Sequence, residues 1–292
     1  MIVRVAAVQP RSYRGDEEEK NLEVALSSIR EARAKGAHIV CFPEGYPGPW
    51  LGPNPFNSLE PLLDEAKRSG VHVIAGFGEE ADQPNHFFTT EVLIGPNGQE
   101  VGRYRRVQPA PQQVYNGLTP GKVMGFGHVE PEELPVFETS IGNLGILCCS
   151  ELYCPELCRI LALKGAEIVF LPVGGLLYEL FHTWKTLLWA RAIENLLYTV
   201  SCQHLFGKER GIARIAAPEG VLGELEGEGI LLCEVDLDRL KWLRDQDESL
   251  TLPKPYRTLP GVLRWRRPEL YGVLVKPASS RARRPSMLRG NG

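Results

Sequence analysis

The sequence contains no apolar run approaching the ~20 residues that a membrane-spanning helix requires. Its opening residues, MIVRVAAVQP, lack the basic lead, the long apolar stretch and the small-residue cleavage site of a secretory leader. It has no surplus of positive charge. Lys and Arg number 33 against 36 Asp and Glu, a net charge of −3, which argues against general attraction to nucleic acid or an anionic membrane. It also lacks an even set of cysteines. The seven are Cys41, Cys148, Cys149, Cys154, Cys158, Cys202 and Cys233, mostly inside apolar runs such as HIVCF and ILLCEV. That is the pattern of reduced, buried thiols in a cytoplasmic protein. Cys154 and Cys158 stand at a helical metal-ligand spacing, but no second pair or histidine lies nearby, so no metal is expected.

What is present is a soluble globular composition, 43% hydrophobic and 24% charged, over 292 residues. Residues 2–9 read as a strand, and 18–35 as a helix with apolar residues at helical spacing that stops at Gly36. The continuous apolar run at 37–43, AHIVCFP, reads as a strand covered on both faces. A helix at 57–68 ends at Gly70, and 71–77 is a further buried strand. Residues 86–94 and 100–105 flank the turn GPNG and predict an antiparallel hairpin. The stretch 106–134 is a long Pro-, Gly- and Gln-bearing loop. Strands at 136–139 and 143–148 follow, then a helix after Pro155, a strand at 167–172 and a helix at 181–195. Strands at 197–203, 212–216 and 229–235 complete the set. Alternating strands and helices with interleaved hairpins predict an α/β layered domain with mixed sheets. No composition break divides it, so 1–276 read as one domain and 277–292 as a basic tail, either solvated or ordered on a partner subunit.

Two residues stand where buried strands emerge into loops: Glu44 after HIVCFP and Cys149 after LGILC. Taken alone, Glu44 reads as a turn cap and Cys149 as packing. On a strand, adjacent Cys148 and Cys149 would face opposite ways. Taken together, a carboxylate that accepts a thiol's proton supplies a nucleophile for attack on an electrophilic carbon.

Four segments resemble the nitrilase superfamily of carbon–nitrogen hydrolases: VAAVQP, CFPEGYPG, LGILCCSELYCPE, and WARAIENLLYTVSCQHLFG with ARIAAPEGVLGE after it. The resemblance runs from about residue 3 to 273 and implies a four-layer α-β-β-α sandwich with mixed sheets. It implies Glu44 as general base and, counting back from the Pro155-Glu156 pair, Cys149 as nucleophile. It implies no metal or organic cofactor, and a homodimer or higher homo-oligomer pairing through helices near the nucleophile. The family's catalytic lysine is not present: GRYRRVQP places Arg106 there, and no lysine occurs between Lys67 and Lys122. The family's second glutamate is also absent, with Val114 or Gln113 in its place.

The expected activity is therefore hydrolysis of a small amide or N-carbamoyl compound through a Cys149 thioester. Arg106 and the backbone N–H of Ser150 are the expected oxyanion donors. The alternatives are a diverged, weakly active or inactive protein that binds a small molecule or partner, and a hydrolase of nitriles. Tyr46, Trp50, Gln113 and Tyr153 are candidate substrate-binding residues, with Trp184 a further aromatic near the motifs. His182 and His204 read as buried, hydrogen-bonded structural histidines.

Overall fold

Strands covered on both faces show no polar–apolar alternation, because alternate side chains enter two different cores. In the computed structural model, which describes residues 1–50, 55–111, 121–124, 134–175, 178–244 and 266–276, this explains the apolar runs. In β1 (Ile2–Gln9), β2 (Ile39–Cys41) and β3 (His72–Glu80), which run parallel, Val5, Ala7, Ile39, Cys41 and Ile74 face one core. Ala6, Val8, Val40, Val73 and Ala75 face the other. That second core is closed by α1 (Lys20–Ala34), through Ala25, Ile29 and Ala32, and by α2 (Leu59–Ser69), through Leu62 and Ala66. Gly70 ends α2 in the left-handed region, at φ 62°, as a helix stop of this kind requires.

The hairpin forms as expected. β4 (His86–Ile94) pairs antiparallel with β3 and with β5 (Glu100–Arg105), and Gly98 N–H closes the turn onto the Gly95 carbonyl at 2.9 Å. A short β6 (Val123–Met124), inside the stretch read as loop, lies parallel to β4. The other edge is β13 (Gly229–Asp236), antiparallel to β1, giving the order β13-β1-β2-β3-β4-β5.

The second sheet runs in reverse chain order, from Gly220–Leu225 at one edge to Val136–Thr139 at the other. Its strands are β7 (Val136–Thr139), β8 (Gly142–Ile146), β9 (Ile168–Val173), β10 (Tyr198–Gln203), β11 (Ala213–Ala217) and β12 (Gly220–Leu225). β8, β9 and β10 are parallel and the flanking pairs antiparallel, so both sheets are mixed. α3 (Pro155–Leu163), with proline at its first position, and α4 (Phe181–Asn195) bury Leu157, Leu161, Trp184 and Leu188 in one hydrophobic cluster with the strands of the second sheet. The result is the expected α-β-β-α sandwich.

Besides β6, three details differ from the sequence reading. β8 ends at Ile146, so Cys148 and Cys149 do not alternate along a strand: Cys148 precedes, and Cys149 begins, a 3-10 turn (Cys149–Tyr153). β12 was not expected, because GVLGEL is half-exposed and glycine-bearing. Nor was α5 (Leu237–Arg244), whose eight residues carry too much charge for a clear apolar face. Residues 277–292 lie outside the described residues.

Within the first sheet β2 and β5 run the same way, and within the second so do β8, β9 and β10. The C-terminal ends of these five strands bring together the residues described next, where open α/β sheets usually carry their sites.

Candidate active site

Glu44 follows β2 and is almost fully buried, at 3% exposure. A carboxylate so placed needs partners for both oxygens. Oε1 accepts Arg106 Nη1 at 2.6 Å, and Oε2 accepts the backbone N–H of Gly174 at 3.0 Å. Glycine at 174 leaves room for this approach: a Cβ there would lie 2.8 Å from Oε2, and the carboxyl would have to shift.

Cys149 leaves β8 with φ 49°, a left-handed conformation that costs a non-glycine residue about 1–3 kcal/mol and occurs most often at functional sites. Its sulfur is approached by the N–H groups of Gly174 and Ser150. Burial and the charge of Glu44 push its thiol up to about 12, against the opposing pull of Arg106 and the two N–H groups. The resting residue is thus a thiol that needs a base at the moment of attack. Gly174 N–H faces both Cys149 sulfur and Glu44 Oε2, which sets nucleophile and carboxylate side by side.

Arg106 leaves β5 and is 2% exposed. Its N–H donates to the Thr89 carbonyl at 2.9 Å, extending the β4–β5 ladder one step past the strand. One guanidinium nitrogen reaches Glu44 and the other donates to Ser150 Oγ at 2.5 Å, while Nε donates to the Gln108 carbonyl at 3.2 Å. The planar fork therefore spans carboxylate and nucleophile turn together.

Glu151, fully buried, ties these elements to one another. Oε1 accepts the N–H groups of Val107 (3.0 Å) and Gln108 (2.8 Å), directly after Arg106. Oε2 accepts Tyr104 OH (2.7 Å) and the N–H of Cys148 (2.6 Å), directly before Cys149. Burial raises its carboxyl, opposed by Arg106 and these donors.

With this geometry, the comparisons with known proteins decide the family. The carbon-nitrogen hydrolase family model matches residues 4–245, which include Glu44, Arg106 and Cys149. The deaminated glutathione amidase of Synechocystis sp. is 34% identical over 254 residues, covering 79% of this chain and 91% of the relative. The chain belongs to the carbon–nitrogen hydrolase family. The N-carbamoylputrescine amidase of Solanum tuberosum is 28% identical and covers 94% and 95% of the two chains. Among solved structures, a carbon–nitrogen hydrolase from Helicobacter pylori superposes with a TM-score of 0.75 at 23% identity, covering 94% of this chain and 99% of that one, and shares the fold. Among the described residues no helix is long and apolar enough to cross a membrane.

The structure brings Glu44, Arg106, Cys149 and Ser150 of this hydrolase together, and it sorts the remaining candidates. Tyr46 is corrected: it is fully buried, its OH donates to the Asn21 carbonyl at 3.0 Å and its ring stacks on Phe42, so it faces the core and not a pocket. Trp184 is likewise core, at 0% exposure. Trp50 is partly buried, and its ring covers Gly45, where a Cβ would run into the indole; it roofs the turn carrying Glu44. Tyr153 is 43% exposed and sets its edge against Trp184; burial first, and then the neighbouring Cys149, raise its phenol. Gln113 and Val114 lie outside the described residues. His204 is buried and hydrogen-bonded as expected, whereas His182 is corrected to an exposed position on α4.

The sequence reading missed Gly174, Glu91 and Glu151. For Glu91 a signal existed, an acid inside the apolar strand HFFTTEVLI. Among the described residues no group of His, Cys, Asp and Glu could hold a metal ion, and all seven cysteines are free.

Proposed function

We propose that the protein hydrolyses the C–N bond of a small amide or N-carbamoyl compound through a thioester on Cys149, with Glu44 as general base. The observation that carries this reading is the single Gly174 N–H that faces both the Cys149 sulfur and Glu44 Oε2. Glu44 takes the thiol proton as sulfur bonds to the carbonyl carbon. Arg106 and the Ser150 N–H hold the resulting oxyanion. When the C–N bond breaks, Glu44 returns the proton to the leaving nitrogen. Water then gives a proton to Glu44 and attacks the thioester, releasing the acid and restoring the thiol. The high resting thiol value supports this order, because sulfur attacks only as its proton departs. The names of the relatives, an amidase of deaminated glutathione and an amidase of N-carbamoylputrescine, support the substrate class.

Trp50 and Tyr153 remain candidates to line the substrate path, since both lie beside the base or nucleophile turn. Residues 1–276 act as one catalytic domain, a reading supported by the extent of the family match. Pairing of copies through α3 and α4 is supported by the exposed Tyr153, Ile160, Leu163, Tyr178, Leu180 and Trp189 on or beside these helices. Free thiols fit a cytoplasmic location.

One observation favours a second reading. Two of the guanidinium nitrogens of Arg106 are engaged with Glu44 and Ser150 in a buried ion pair, a resting arrangement that suits a binding protein with little turnover. An ammonia-release screen over amides, N-carbamoyl compounds and nitriles separates the readings. The hydrolase reading expects release from an amide or carbamoyl compound and none from Cys149→Ala. Release from nitriles alone points to nitrile hydrolysis. No release from wild type, with release restored by Arg106→Lys, assigns the defect to the cation.

A further inference from the structure

Glu91 is placed where a carboxyl is costly. It lies mid-strand in β4, at 0% exposure, and among the described residues it forms no ion pair. Its cross-strand neighbour on β3 is Gly76, and the missing side chain there makes the room: a Cβ at Gly76 would lie 2.6 Å from both carboxyl oxygens. Laid across that gap, Oε1 accepts the N–H of Gly45 at 2.7 Å. Oε2 has no hydrogen-bond partner among the described residues. The charged groups facing it are Glu44 and Arg106: burial and the charge of Glu44 raise the carboxyl well above its ordinary range, against the pull of the Gly45 N–H and Arg106.

The same peptide unit is gripped on its other edge. The carbonyl of Glu44 is 2.8 Å from His204 Nε2, which must donate because a carbonyl only accepts. Nδ1 is then the acceptor and takes the Ser12 hydroxyl at 2.8 Å. The ring is stacked on Phe206 and edged by Tyr46, and burial pushes it down to about 3, so it stays neutral. A peptide unit is planar, so holding the oxygen and the N–H of one unit fixes its orientation. That matters here because the next residue, Gly45, takes φ 62° and has no side chain with which to steer the turn.

We propose that Glu91 and His204 are positioning residues: from opposite sheets they clamp the Glu44–Gly45 peptide and so hold the Glu44 carboxylate against Cys149. This rests on the reading of Glu44 as general base. Glu91 is not itself the base, since its Oε1 is committed to Gly45 and the sulfur that meets that oxygen, 4.0 Å away, is that of Cys148.

The test is ammonia release by the full chain in wild type, Glu91→Leu, Glu91→Gln, His204→Phe and the Glu91→Leu/His204→Phe double variant, each checked for folding by thermal melting. Displacing a reacting group by about an ångström costs about 100-fold in rate. Glu91→Leu and His204→Phe are therefore each expected to lower kcat by about 30- to 100-fold, with KM within about threefold of wild type. Glu91→Gln keeps an acceptor for Gly45 and is expected to restore kcat to within about threefold of wild type. Because both side chains grip one peptide, the double variant is expected within about threefold of the weaker single variant. Retained kcat in both single variants, losses confined to KM, or a double loss equal to the product of the singles would overturn the proposal. If Glu91→Leu does not fold, the kcat and KM of His204→Phe decide alone. A wild type that releases no ammonia overturns the hydrolase reading, and the clamp falls with it.

Discussion

Replacing Gly174 by alanine probes the contact between base and nucleophile without removing a functional group. The new methyl would stand 2.8 Å from Glu44 Oε2, where ordinary contact begins at 3.4 Å, so the carboxyl must retreat by about 0.6 Å. The N–H that faces both Glu44 and Cys149 is kept, because alanine retains it. Retreat is resisted on the far side, where Oε1 is held 2.6 Å from Arg106. A misplacement of about an ångström costs about 100-fold, so a retreat somewhat smaller should lower kcat by about 10- to 100-fold, or about 1.4–2.7 kcal/mol of barrier. The strain is confined to one contact, and the melting temperature should fall by only about 1 kcal/mol worth of stability, a few degrees. Ammonia release and a melting curve on the same preparation read both quantities. Turnover within twofold of wild type in a folded Gly174→Ala variant would refute the view that Glu44 acts from its observed position.

Two further outcomes follow from other parts of the molecule. Burial raises the Glu18 carboxyl from 4.5 to about 7, against a hydrogen bond from Trp50 N–H and the charge of Arg14. The folded state therefore holds this proton more tightly than the unfolded chain. The stability so contributed is present below pH 4.5 and is lost as pH rises through 7. Glu18→Gln, which stays neutral, should melt above wild type by a margin that opens between pH 4.5 and 7 and then stays level; a margin independent of pH would contradict this. Trp189 is 36% exposed and Leu163 43%. If they pair with a second copy, Leu163→Glu/Trp189→Glu should shift the mass measured by light scattering to that of a monomer, and an unchanged mass would place the interface elsewhere.

Much of this arrangement was legible because its signals are local. Apolar runs followed at once by Glu44 and Cys149 marked strand ends, and GPNG between 94 and 99 marked the hairpin whose far strand delivers Arg106. Tyr46 was misassigned because nearness in sequence was read as nearness in space. Gly45, at φ 62°, turns the chain back so that Glu44 faces the site and Tyr46 enters the core beside Phe42. Gly174, Glu91 and His204 depend on contacts that cross between sheets or between paired strands. The room for Glu91 exists only because register places Gly76 opposite it, and no pattern within β4 alone states that. β12 and α5 were missed for a different reason: GVLGEL and LDRLKWLR bury too little apolar surface to imprint a clear period.

The most direct measurement is mass spectrometry of the intact chain, quenched in acid during turnover of an amide found active in the ammonia screen. The account predicts an added mass equal to the acyl group, mapped to the peptide containing Cys149, formed with release of one equivalent of ammonia and absent from Cys149→Ala. Turnover without an adduct, or an adduct on another of the seven thiols, would contradict it.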